Sequence, residues 1–244
     1  LQNVELIQRK GVDMLMVLKL YPKGDQNKVW DYIIKNFDKS VEETVTPIQI
    51  TEHMGDNVIG ILFNVNDMDD MVNFLTYRIG GCEEIVDTKT LIFMKPVFLP
   101  LPKDRSKRLR RFTIPLQVQP KYFNSVYKEL IDFQYPEGVF PIYITYTLGE
   151  CDILMSIVAK DLETIHNFVS HTISPINGVD SYMITEFGRS QRLIPQDKWR
   201  TLQRSMLHIP TWAAGELEEK YLYDYDLEPP KDEFAMSGAM VDEL

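Results

Sequence analysis

The chain has 244 residues, 44% of them hydrophobic and 25% charged, so it carries enough apolar material for a packed core and is not an intrinsically disordered chain. A formal net charge of −10 argues against stand-alone binding to nucleic-acid phosphates. Two cysteines, Cys82 and Cys151, without a CxxC motif offer neither a disulfide framework nor a zinc site, and the expected compartment is the cytoplasm.

Taken in chain order, residues 14–21 (MLMVLKLY) read as a strand. Residues 27–37 place Val29, Trp30, Ile33, Ile34 and Phe37 on one helical face. Residues 44–53 and 58–65 read as a second and a third strand, Met68, Met71, Val72, Leu75 and Ile79 form a helical stripe, and residues 84–93 give a fourth strand. The second half repeats this order. Phe112, Ile114, Leu116 and Val118 alternate as a strand does, and Phe123, Val126, Tyr127, Leu130 and Ile131 follow at helical spacing. Two strands meeting at Gly149-Glu150, a helix carrying Leu162, Ile165, Val169 and Ile173, and a last strand over GVDSYMITEF complete it.

The order βαββαβ, written twice, predicts an α+β protein of two tandem ferredoxin-like domains. The expected boundaries are 1–96 and 111–190 for the two domains, with a basic, proline-containing linker at 97–110. A C-terminal helical region at 191–214 and an acidic tail at 215–244 follow. That tail holds ten acids and two bases, so it carries most of the net charge. Pro115 argues against this scheme, because a central strand loses a ladder hydrogen bond at proline.

The two halves also share local chemistry. Gly55 and Gly149 fall between strands, where a tight hairpin needs positive φ. Asp67 and Asp161, each twelve residues on, are placed to cap the next helix. Asp152 has no such reading: a carboxylate opening an apolar strand needs a partner.

Residues 146–187 resemble the effector-binding (RAM) domain of Lrp/AsnC transcription regulators. The match is carried by Gly149, Asp152, Asp161-Leu162, Gly178-Val179 and Thr185; the first half matches less well, since Val58 stands where the pattern has aspartate. The resemblance implies that the two halves pair within the chain as a dimeric α/β-barrel, and that the chain is a non-enzymatic sensing and oligomerisation module. A small effector such as an amino acid would be held near Gly149, Glu150, Cys151 and Asp152, with Gly55, Asp56 and Asn57 as the first-half counterpart. It implies a homo-oligomer, no membrane partner, no cofactor and no metal. Too few residues precede the first strand for a helix-turn-helix, so DNA contact is expected only through a segment outside this chain. His53, just before the first glycine turn, could line the interface between the halves. The alternative is an enzyme on the same barrel, of haem-binding, monooxygenase or decarboxylase type, with His53 as its one evident chemical group; a purely structural interaction protein is a third reading. The basic run 103–111 reads as a solvated linker.

Overall fold

The computed structural model describes residues 14–37, 44–102, 109–211 and 213, and the backbone of 221–222. Residues 103–108 of the basic run and nearly all of the acidic tail lie outside the described residues. The first half contains β1 (Met14–Pro22), α1 (Gln26–Phe37), β2 (Val45–His53), β3 (Ile59–Val65), α2 (Met68–Phe74) and β4 (Ile85–Phe98). A short β5 (Leu101–Pro102) follows. The second half contains β6 (Arg110–Val118), α3 (Phe123–Asp132), β7 (Val139–Leu148), β8 (Ile153–Ala159), α4 (Leu162–Phe168), β9 (Val179–Tyr182) and β10 (Thr185–Arg192). Helix α5 (Gln196–Ser205) and β11 (Tyr221–Leu222), which pairs with β5, come last.

The expectation of two tandem ferredoxin-like domains is corrected by the strand pairing. Eight antiparallel strands run in the order β10-β2-β3-β1-β4-β7-β8-β6, and β10 bonds to β6 as well as to β2, so the sheet closes on itself. Strand β4 joins β7 across the halves with pairs such as Phe93 to Thr147. The halves therefore share one hydrogen-bonded ring and one interior, and neither is a sheet with a back face of its own. The product is a single-chain barrel.

Closure gives every strand two environments. On β1, Met16, Leu18 and Leu20 face outward into a core with Val29, Trp30, Ile33 and Phe37 of α1. Val17, Lys19 and Tyr21 alternate with them and face the interior. On β6, Phe112, Ile114, Leu116 and Val118 pack outward with Val126, Tyr127 and Leu130 of α3, leaving Arg111, Thr113, Pro115 and Gln117 inside. All seven residues of β8 are buried, because helices cover one face and the barrel interior the other. Each fully buried large apolar side chain contributes roughly 1.5–3 kcal/mol. One end of the interior is filled by Leu15, Ile48, Phe93, Phe98 and Val158. Helix α5 joins this cluster: Trp199 meets Phe98 edge-on at 5.8 Å, and the backbone of Met206 and His208 bonds Phe98 on both sides.

Local chemistry explains how the chain makes these turns. Gly55 and Gly149 have φ of +85° and +144°, and at Gly149 a Cβ would stand 2.7 Å from the Thr90 carbonyl, so only glycine fits. Asp67 accepts from the backbone of Asp69 and Asp70, and Asp161 from Thr164, so both aspartates cap helices. Pro115 is accommodated because its carbonyl points to the break between β9 and β10, where Met183 donates to it at 3.2 Å. A residue's N–H and C=O share a side in a strand, so the missing donor faces that same gap. Pro47 and Pro141 occupy corresponding positions in VTPIQI and VFPIYI, and both are followed by a register shift in the pairing.

Asp152 is also explained. Its carboxylate accepts from the backbone of Val118 at 2.8 Å, beside the irregular pairing of β6 with β9. Asp152→Ala is expected to lower stability by about 1–2 kcal/mol, because a partly buried N–H loses its acceptor. Asp152→Asn, which keeps a carbonyl oxygen there, is expected to recover most of that loss. Urea denaturation of both variants checks it, and an unchanged midpoint for the alanine variant would contradict the assigned role.

Candidate active site

The open end of the barrel interior is a cavity of about 720 Å³, within the usual range for small-molecule sites. Its apolar wall includes Val17, Leu62, Leu91, Leu154 and Phe187. Its polar groups come from alternate residues of β1 (Lys19 and Tyr21), β2 (Gln49, Thr51 and His53) and β6 (Arg111, Thr113 and Gln117), with Tyr143 from β7. The exposed hairpin residues Asp56, Asn57 and Glu150 sit at the rim.

Of the eight residues singled out from the sequence, five line this cavity and three do not. Asp56, Asn57 and Glu150 are rim residues, while His53 and Cys151 belong to the wall. Gly55 and Gly149 shape the hairpins by their backbone, and Asp152 is committed to Val118. Asn57 is tied by its amide to the carbonyls of Pro22 and Gly24, at 3.0 and 3.2 Å. Cys151 is buried against Thr147, with Oγ1 and Sγ 3.2 Å apart, and burial pushes its thiol pKa up. Glu150 binds Lys19 at 2.6 Å and Lys89 at 2.9 Å. Partial burial works against that carboxylate, but hydrogen bonds from the two lysines outweigh it and hold its pKa below the usual range.

Sequence reasoning missed Arg111, Gln49 and Tyr143. Arg111 is the last base of the run 103–111, but it belongs to β6 and faces inward rather than to solvent. It donates from Nε to Ser156 Oγ at 3.0 Å and from Nη1 to Gln49 Oε1 at 3.3 Å, and the Tyr143 hydroxyl lies beside it. Its guanidinium lies 4.9 Å from the centre of the Phe187 ring, and the His53 ring stacks at an angle on the same ring, 5.1 Å between centroids. The available signal was the inward phase of the period-two strands, since the residues between Phe112, Ile114 and Leu116 must face the other side.

The His53 imidazole has no hydrogen-bond partner among the described residues, although its backbone N–H donates to the Val58 carbonyl at 3.1 Å. Burial, followed by the nearby Lys19 charge, lowers its pKa to about 4; Arg111 lowers it further, and Asp56 and Glu150 only partly oppose this. The imidazole is therefore neutral at pH 7, and the surroundings that hold it so also make it a weaker base than an ordinary histidine.

Haem, which the alternative reading carries, needs an axial nitrogen with clear space in front of it. His53 Nε2 instead lies against β3, 3.3 Å from where a Cβ on Gly60 would stand, and Thr51 flanks the same spot. That wall occupies the position a macrocycle would need, so these residues do not fit haem. Among the described residues, no three His, Cys, Asp or Glu side chains gather to hold a metal. No helix among them is long and apolar enough to cross a membrane.

No protein-family model matches the chain, and no curated protein matches it. Solved structures with a similar arrangement include an anthrone oxidase-like protein (11% identity, 75% of this chain and 94% of that one, TM-score 0.48). A putative monooxygenase from Fusobacterium nucleatum subsp. nucleatum is 13% identical over 75% of this chain and 94% of that one, with a TM-score of 0.47. A mutant chlorite dismutase from Candidatus Nitrospira defluvii is 11% identical over 74% and 92%, with a TM-score of 0.46. At these values they settle neither activity nor ligand. The Lrp/AsnC resemblance is withdrawn, because no family model matches the chain and its two halves close into one barrel rather than standing as separate domains. With it go transcription regulation and the non-enzymatic sensing module, which rested on that resemblance alone.

The depressed pKa of His53 sets a pH dependence. Between about pH 4 and the ordinary histidine value of 6.5, the unfolded chain binds a proton that the folded chain does not. This contribution favours the fold above pH 6.5 and is lost as pH falls toward 4. Melting temperatures measured from pH 7.5 to 4.5 are expected to drop, and His53→Gln is expected to flatten part of that drop; parallel curves would show that His53 is not held neutral by its site.

Proposed function

We propose that the chain is an enzyme that ionises a small, largely apolar substrate inside the barrel and delivers it to dioxygen, a monooxygenase-type reaction without a metal. The observation that carries this reading is a neutral, unpartnered imidazole on the wall of a mostly apolar cavity, next to a cation. His53 takes a proton from an acidic C–H or O–H of the substrate, and the electron pair stays on the substrate as an enolate or phenolate. Arg111 lies against the same phenylalanine ring and favours the negative charge as it develops. The apolar wall excludes water and so strengthens that attraction.

The balance closes with dioxygen as the oxidant. The carbanion forms a C–O bond with dioxygen, and the proton held on His53 returns to the resulting peroxide. The O–O bond then breaks with loss of the second hydrogen, so a CH₂ group and O₂ become C=O and water. Arg111, His53 and Phe187 act here by position and charge, and the electrons come from the substrate.

Oxygen uptake with a panel of anthrones, quinols and enolisable ketones tests this. The parent chain is expected to consume oxygen with at least one of them, and His53→Ala to lose roughly 10²–10⁴-fold of that rate, the usual worth of a general base. Uptake unaffected by His53→Ala, or absent across the panel, counts against the reading.

A further inference from the structure

The two halves of the barrel are related position by position, and the relation breaks at one buried charge. By strand register, Leu15 in β1, opposite Asn64, corresponds to Arg111 in β6, opposite Val158. Leu15 is packed into the apolar interior. Its counterpart is a guanidinium inside the same barrel, where a charge without a counter-ion is unfavourable. Among the described residues, Arg111 has only neutral partners: Ser156, Gln49, Tyr143 and the Phe187 ring. The cavity's nearby carboxylate does not serve, because Glu150 is already held by Lys19 and Lys89.

These neutral partners are themselves fixed. The Gln49 amide donates to Ser190, which turns its carbonyl oxygen toward Arg111. Gln49 and Tyr143 occupy corresponding positions of the two halves, each two residues beyond the proline that precedes a register shift. Both halves thus contribute one side chain that orients the same guanidinium. A guanidinium has five N–H donors, and two of them bond Ser156 and Gln49, with the Tyr143 hydroxyl beside it. The donors left over suit the two oxygens of one planar carboxylate.

The geometry points to Arg111, set by Gln49, Tyr143 and Ser156, as an anion anchor whose ligand is a small monocarboxylate with an apolar body. The carboxylate completes the guanidinium's bonding, and the body fills the wall formed by Val17, Leu62, Leu91 and Leu154. This rests on the cavity being the active site, and it names the class of substrate that site accepts. Lys19, which also lines the cavity, and Lys89 share the single carboxylate of Glu150, which offsets one of their two charges, so variants of Arg111 are what separate the anchor from this second cationic spot.

Isothermal titration of the full chain with benzoate, phenylacetate, benzamide, acetate and inorganic phosphate tests the anchor. Benzoate or phenylacetate is expected to bind. Benzamide, which has the body without the charge, acetate, which has the charge without the body, and phosphate are each expected to bind at least about tenfold more weakly. Arg111→Leu, which copies the residue at the corresponding position, is expected to melt no lower than the parent and to lose roughly ten- to hundredfold in arylcarboxylate affinity. Arg111→Gln, which keeps polar partners for Gln49 and Tyr143, gives the same readout if the leucine variant does not fold. Equal binding of benzoate and benzamide, preferred binding of phosphate, no binding of either arylcarboxylate, or unchanged affinity in both variants would overturn the anchor. The two ideas fail separately: arylcarboxylate binding lost with Arg111 but without any oxygen uptake sinks the oxygenase chemistry alone, and oxygen uptake with neutral and charged ligands bound alike sinks the anchor alone.

Discussion

Strand β10 bonds to β2 through residues such as Ser190 and Gln191, and its first residues, Thr185 and Glu186, bond to β6. Those few pairs turn a row of strands into a ring. A ring has an inside, so each strand must satisfy helices on one face and the barrel interior on the other. The alternation of side chains along a strand makes this possible with a single sequence: the residues at one parity build the outer cores, and those at the other build the interior. The cavity, its polar groups and its rim are all consequences of which residues fall at the inward parity.

The interior is not filled evenly. At one end, phenylalanines, leucines and Trp199 pack together, and α5 covers them. At the other, glycine and short polar side chains stand where bulk would otherwise close the space, as at Gly60, Thr51 and Thr113. Two proline-bulge positions reset the register of β2 and β7, which brings Gln49 and Tyr143 inward to the same guanidinium. The barrel therefore spends part of its stability on an interior charge and a large void. Such costs are typical of sites that gain their full bonding only when a ligand is present.

Much of the local structure was legible in the chain. The apolar parities of Phe112, Ile114 and Leu116, the helical stripe of Val126 to Ile131, the glycine hairpins and the aspartate caps follow from chemistry that acts within a dozen residues. The candidate site was legible only in part. His53, Asp56, Asn57, Glu150 and Cys151 were reached through their nearness to the hairpins, while Gly55, Gly149 and Asp152 drew attention for the same reason and serve the backbone. Arg111 was hidden by its neighbours, because five other bases precede it between Lys103 and Arg110 and the run reads as solvated.

What the sequence determined by itself is most of the elements and their repetition, since periodicity, caps and turns are local; it read residues 178–187 as one last strand, where the structure has β9 and then β10, the strand that closes the ring. It did not determine that the halves fuse into one closed sheet, because pairing of β4 with β7 and of β10 with both β2 and β6 depends on strands far apart in the chain. Nor did it determine which face of each strand would meet the cavity. Only closure gives the second parity a function, and only there do Arg111, Gln49, Tyr143 and His53, drawn from three strands, come to surround one space.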